Sequence, residues 1–191
     1  MTCIVALVRN GTTWMGWDSA GSNTNLLDLQ GESTNKTFAR RIGDQTCLIG
    51  ASGSRRLTEL IEHHVVFPDL PTATTSEAMM RYLIVDVIPK FRLALKEGGV
   101  MTTKDGVESA PGMILVGVCG RLYTIEGDLS VRSHDDSFAA VGSGATEARG
   151  VCFGVNKLNV EVDPETLIRT ALEAAERWTP SVRGPFQVIH S

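Results

Sequence analysis

The sequence predicts an α+β protein in which two antiparallel β-sheets pack together and are covered by pairs of helices. Three observations lead to this expectation. The elements come in segregated runs: strands, two helices, strands, two helices and a last strand, where a parallel sheet would alternate. The strands are short, and glycine-containing turns such as Asn10-Gly11 and Gly43-Asp44 separate them. The 191 residues, 42% hydrophobic and 21% charged, suffice for one sizeable core, so residues 1–191 read as a single domain.

Thr2 to Arg9 is a β-rich alternating strand, Asn10-Gly11 a type I′ turn signal, and Thr12 to Asp18 the returning strand of a hairpin. Turn chemistry fills Ser19 to Asn25. Strands follow at Leu26 to Gln30, Lys36 to Ile42 and Thr46 to Ser52, and this run forms a first sheet. Ser54 caps the helix RRLTELIEHH, and Ser76 caps a long helix that Pro89 kinks and Gly98-Gly99 end. A second sheet is expected from the meander MILVGVCGRLYTIEGDLSVRSH, its strands punctuated by Cys119-Gly120 and Gly127-Asp128. The glycine-rich AAVGSGATEARG leads into a helix from about Ala145. Asp163 caps a further helix with Pro164 at its first position, and FQVIH is the last strand.

Composition excludes several functions. A net charge of −4, with no basic stretch beyond Arg40-Arg41 or Arg55-Arg56, provides no field for nucleic acid. The apolar run from Tyr82 to Pro89 is broken by Asp86, well short of a membrane span. A polar Arg9-Asn10-Gly11 follows the first short strand where a signal peptide needs an apolar stretch, so a cytoplasmic location is expected. Cys3, Cys47, Cys119 and Cys152 sit in apolar strand or helix patterns without metal-ligand spacing and read as reduced core thiols. The four histidines are dispersed, the Asp105/Glu108 and Asp135-Asp136 acids fall on loops, and Trp14 and Trp17 are packing residues.

Thr2 raises a chemical question. A hydroxyl is a weak nucleophile unless a base stands beside it, and a free α-amine, with a reference pKa of about 7.7–8.0, supplies one from the same residue. Threonine is small enough for the initiator Met1 to be trimmed, which makes Thr2 the mature terminus. Taken alone, Thr2 reads as the start of an edge strand.

The wider pattern resembles the proteasome β-subunit and HslV family of N-terminal-nucleophile hydrolases. TCIVALVRNGTTWMGWDSAG is similar to that family's first strand, tight turn and second strand, which ends in Gly16-Trp17-Asp18-Ser19, and the resemblance covers essentially the whole chain. It implies a four-layer αββα sandwich. It also implies Thr2 as nucleophile, Asp18 as the acid pairing with the catalytic lysine, and Lys36 in KTFARRIG as that lysine, given an insertion in LLDLQGESTN; Arg40 or Arg41 is the alternative. An ammonium beside the threonine favours its deprotonated form, and a carboxylate offsets the cost of burying the ammonium. Strand alternation from Lys36 predicts Thr37 outward, with Phe38 and Arg40 on the lysine's face. LIGASGS resembles the junction that supplies the oxyanion N–H, with Gly53 the best match and Gly50 the alternative. Ser143 in AAVGSGA, after the second sheet's last strand, is similar to the serine that contacts the terminal amine. Ser181 in ERWTPSVRG matches a supporting serine, although Trp178 stands where many members have an aspartate.

The resemblance implies a threonine-type peptidase acting on peptides or unfolded proteins, without cofactor or metal, in a homo-oligomeric ring. No GxxxxGK[ST] occurs, so energy coupling needs a separate ATP-dependent unfoldase. An inactive ring-forming relative and an amidase of small molecules are the alternatives.

Overall fold

Asn10 and Gly11 both take positive φ, 51° and 80°, and fold β1 (Cys3–Arg9) back onto β2 (Thr12–Trp17) with Arg9 opposite Thr12. This is the expected type I′ hairpin. The computed structural model describes residues 2–23, 26–29 and 35–191. Met1, residues 24–25 of the expected turn, Gln30 at the end of the expected Leu26–Gln30 strand, and residues 31–34 of the polar loop after it lie outside the described residues. The stretch read as turn contains a strand: β3 (Ala20–Asn23) pairs with β4 (Leu26–Leu29), because small polar residues that favour turns also fit a short hairpin. β5 (Thr37–Ile42) and β6 (Gln45–Gly53) follow as an antiparallel pair.

α1 (Arg55–His64) begins after Ser54, whose side chain makes no capping hydrogen bond. α2 (Ser76–Tyr82) is capped by Thr75, which accepts from the Ala78 N–H, so the cap lies one residue before the expected Ser76. The kink expected at Pro89 is a π-helical turn, Leu83–Val87, in which the Ile88 N–H reaches the Leu83 carbonyl. Widening the helix there accommodates a residue that has no N–H to give. α3 (Ile88–Glu97) then runs to Gly98.

A small hairpin of β7 (Thr102–Lys104) and β8 (Val107–Ser109) replaces an expected loop, and Glu108 on it pairs with Arg92 and Lys96 instead of standing free in solvent. β9 (Gly112–Val118), β10 (Arg121–Ile125) and β11 (Val131–Ser133) form the meander. Cys119, with φ of 50°, sits in the β9–β10 turn and is only half-buried, outside the strand core assigned to it. β12 (Phe138–Gly142) precedes α4 (Ala145–Lys157), and α5 (Pro164–Trp178) is capped by Asp163 as expected, through the Thr166 N–H. β13 (Gln187–His190) is the last strand.

The two larger sheets run β12-β1-β2-β13 and β11-β10-β9-β6-β5. Each therefore draws on both strand runs, where one sheet per run was expected. Alternation along β1 explains the layering. Cys3, Val5 and Leu7 pack against α4 and α5 with Leu167 and Leu172. Ile4 and Ala6 meet Leu48 and Leu115 of the other sheet. That sheet turns Phe38, Ile49 and Val116 toward Leu57 of α1 and Phe91 of α3. The result is the expected αββα sandwich. No helix among the described residues is long and apolar enough to cross a membrane.

Candidate active site

The site forms where β1 begins. Antiparallel pairing of β1 with β12 sets Cys3 opposite Gly142, so the residues just beyond each, Thr2 and Ser143, become neighbours. The Thr2 N–H donates to Ser143 Oγ at 3.3 Å, and Ser143 Oγ lies 3.3 Å from the Thr2 carbonyl and 3.1 Å from Ser181 Oγ. The Gly144 N–H also reaches the Thr2 carbonyl, at 3.4 Å. Gly142 is required here: its φ is 96°, and a Cβ would lie 2.1 Å from the Thr2 oxygen.

Asp18 follows β2 and is fully buried. Its Oδ1 accepts from the Cys3 N–H at 2.8 Å and from Lys36 Nζ at 2.7 Å, and its Oδ2 accepts from the Ala20 N–H at 3.1 Å. Lys36 Nζ donates further to the Ala20 carbonyl at 2.6 Å. Asp18 thus ties the residue beside Thr2 to a buried ammonium. Burial pulls the Lys36 pKa down, and the Asp18 charge opposes that pull. The Cys3 thiol is pushed up to about 12, first by burial and then by Asp18, so it stays protonated.

Lys36 occupies this position, and neither arginine does. Arg40 reaches the Glu62 carbonyl on the helix side and lies over the Phe38 ring, and Arg41 is exposed near Gly43. The face assignment needs correction. Lys36 sits in a bend one residue before β5, and Thr37 is buried, not outward, facing the sheet interior beside Gly50 and Ile4. Leaving the strand's alternation lets Lys36 turn toward Asp18 while Phe38 and Arg40 share the helix-facing side.

Gly53 ends β6 with φ of 108°, and a Cβ there would lie 2.1 Å from the Pro111 carbonyl. Close packing alone thus demands glycine at 53. Its neighbour Ser52 borders the site, since a Cβ on Gly142 would stand 3.4 Å from Ser52 Cβ. Gly50 lies inside β6 beneath Ile4 and Thr37, away from the α1 terminus. Trp178 is 72% exposed and supplies no charge. The sequence reading missed Gly142, whose signal was its place before Ser143-Gly144. It also missed the Ala20 carbonyl, which no side-chain pattern reveals.

No protein-family model matches the chain, and no curated protein matches it. Solved structures do. BPH of Thiobacillus denitrificans, in complex with Epoxomicin, superposes with a TM-score of 0.77 at 18% identity, over 100% of this chain and 98% of its own. HslV from Trypanosoma brucei superposes with a TM-score of 0.64 at 18% identity, covering 99% and 98%. This chain has the HslV fold. A third neighbour is Anbu from Pseudomonas aeruginosa, described as a helical assembly, with a TM-score of 0.65, 15% identity, and 100% and 81% covered. Within its HslV fold, this chain brings Thr2, Ser143 and Ser181 into one hydrogen-bonded group and Asp18 and Lys36 into a buried pair next to it.

Proposed function

We propose that the chain, as a single domain over 1–191, is a threonine-type peptidase whose nucleophile is Thr2 after loss of Met1. The observation that supports this most is the buried Asp18–Lys36 pair, 2.7 Å apart, anchored to the backbone of the residue next to Thr2. A fold needs no buried ion pair, and a lysine whose pKa burial lowers beside a carboxylate is characteristic of functional sites. In this reading the Thr2 oxygen attacks the peptide carbonyl while its proton passes to the α-amine. The backbone N–H at Gly53 holds the oxyanion. The C–N bond then breaks as the ammonium gives its proton to the leaving amine, and water hydrolyses the Thr2 ester. Ser143 and Ser181 orient the amine. The substrates are peptides or unfolded proteins, the assembly is a homo-oligomeric ring in the cytoplasm, and a separate ATP-dependent unfoldase feeds it.

The test combines intact mass and covalent labelling. Protein expressed in bacteria is expected to lack Met1, to hydrolyse small peptide amides and to gain one Epoxomicin per chain. Thr2→Ala is expected to fold and lose both activities, and equal labelling of that variant removes Thr2 from the mechanism. The exposed Trp178, which supplies no carboxylate, favours the inactive ring-forming relative as the second reading. Retention of Met1 with no labelling selects it.

A further inference from the structure

Glu147 is a carboxylate that the mechanism above does not use. It stands in the first turn of α4, three residues past the cap residue Gly144. From that position an acidic side chain folds back over the helix terminus, and here the terminus is bound to Thr2 through the Gly144 N–H and Ser143 Oγ. Its Oε2 is closed off from solvent and has no hydrogen-bond partner among the described residues. Stabilising the helix dipole does not require this, since a solvated glutamate in the first turn does so equally well. Burying a carboxylate oxygen without a donor is costly and calls for a donor. The charge of Glu147 also reaches the residue beside the nucleophile, because it helps to push the Cys3 thiol up.

We propose that Glu147 is a positioning residue for the mature N-terminus, its carboxylate favouring the α-ammonium that Thr2 carries once Met1 is gone. It supplies from α4 the negative charge that Trp178 leaves out at the end of α5. The inference rests on Thr2 being the mature terminus. The charged and titratable groups that act on Cys3, the residue next to that amine, are Asp18 and Lys36 at the sheet end and Glu147 and Cys152 on α4. Ser181, after α5, is not titratable in this range. Lys36 disfavours the ammonium, and Glu147 and Asp18 favour it, so Glu147 sets how readily the amine keeps the proton that it must deliver to the leaving group.

The experiment uses full-length chain released from an N-terminal fusion cut immediately before Thr2, so that the amine is present whether or not Met1 is trimmed in cells. The α-amine pKa is read from the pH dependence of its modification by cyanate, followed by mass, in wild type, Glu147→Gln and Glu147→Asp. Gln is expected to lower that pKa by about half a unit or more and to move the acidic limb of peptide hydrolysis to lower pH. Asp, which keeps the charge, is expected to restore most of the shift. Glu147→Ser replaces Gln if that variant does not fold. An unchanged amine pKa in a folded, uncharged variant overturns the proposal. An amine pKa that Gln lowers and Asp restores, when the wild-type protein neither cleaves peptides nor binds Epoxomicin, upholds the positioning role and overturns the peptidase reading instead.

Discussion

Replacing Lys36 with Met tests the buried pair at its centre. In the wild type Asp18 is fully buried and Lys36 is 7% exposed, and the carboxylate accepts from Lys36 Nζ at 2.7 Å and from two backbone N–H groups at 2.8 and 3.1 Å. Methionine keeps the volume and removes the counter-charge, leaving a buried carboxylate held by two amides. Breaking a buried pair in this way costs about 3–5 kcal/mol. At about 2–4 °C per kcal/mol for a chain of this size, Tm is expected to fall by roughly 6–20 °C. Adding Asp18→Asn removes the stranded charge. The asparagine oxygen can serve only one of the two N–H groups, so about 1–3 kcal/mol of the loss remains. The double variant is therefore expected to be more stable than Lys36→Met alone, a sign reversal that only coupled charges produce. Urea unfolding at pH 7 with a shared m-value compares the wild type, Lys36→Met and the double variant. A Lys36→Met protein within about 1 kcal/mol of wild type, or a double variant weaker than the single one, refutes the reasoning.

Stability is expected to fall at alkaline pH, because burial holds Cys3 and Cys47 at about 12 and Cys152 at about 11 against an ordinary 9.0. The unfolded chain loses these protons first, so stabilisation present below pH 9 disappears between 9 and 12, and Cys47→Ala is expected to flatten the slope of unfolding free energy by up to about 1.4 kcal/mol per pH unit. Lys36 acts with the opposite sign: its lowered pKa makes its own contribution rise with pH up to 10.5, and Lys36→Met is expected to steepen the alkaline loss. Gly142→Ala would press a methyl to 2.1 Å from the Thr2 carbonyl at φ of 96°, and is expected to destabilise by about 2 kcal/mol or more and to abolish Epoxomicin labelling. Labelling at the wild-type rate would show that Thr2 is not held from β12. Arg41→Ala, at an exposed side chain, is expected to stay within about 0.5 kcal/mol of wild type and to label normally, and lost labelling would return the arginine to the lysine's position.

Local chemistry made most of the fold legible. The Asn10-Gly11 turn, the Asp163 cap and the Gly98 stop each depend on a backbone requirement that one or two residues meet. Sheet membership was hidden, because nothing local to β12 says that it pairs with β1 and not with the meander that precedes it. The same holds for the site. Asp18 was singled out only through the family resemblance, and its placement depends on the Cys3 N–H, a main-chain donor that any residue at that position would supply. Lys36 does stand 2.7 Å from Asp18, but not on the face that alternation predicts, since the chain bends before β5 and period-two counting stops at the bend. Gly53 shows the converse difficulty. The sequence offered one reason for a glycine there, close approach of substrate, and the Pro111 carbonyl supplies another that has nothing to do with chemistry.

Strand parity connects these observations. Along β1 the residues under the helices are Cys3, Val5 and Leu7, and those between the sheets are Ile4 and Ala6. Carried back one residue, the alternation turns Thr2 to the side of Ile4, where Thr37 and Gly50 of the other sheet also lie. The hairpin turn and the Cys3–Gly142 pairing fix that register from both ends, and a slip of one residue would turn the hydroxyl toward α4. The same register brings Gly144 and Ser143 to the Thr2 backbone and leaves Asp18 to hold Cys3. An apolar pattern that only needed to bury β1 would accept Thr2 in either orientation. The register that buries Ile4 against the second sheet is therefore also the one that turns Thr2 toward the Lys36 side of the sandwich, so core packing and the orientation of the Thr2 side chain are set by the same residues.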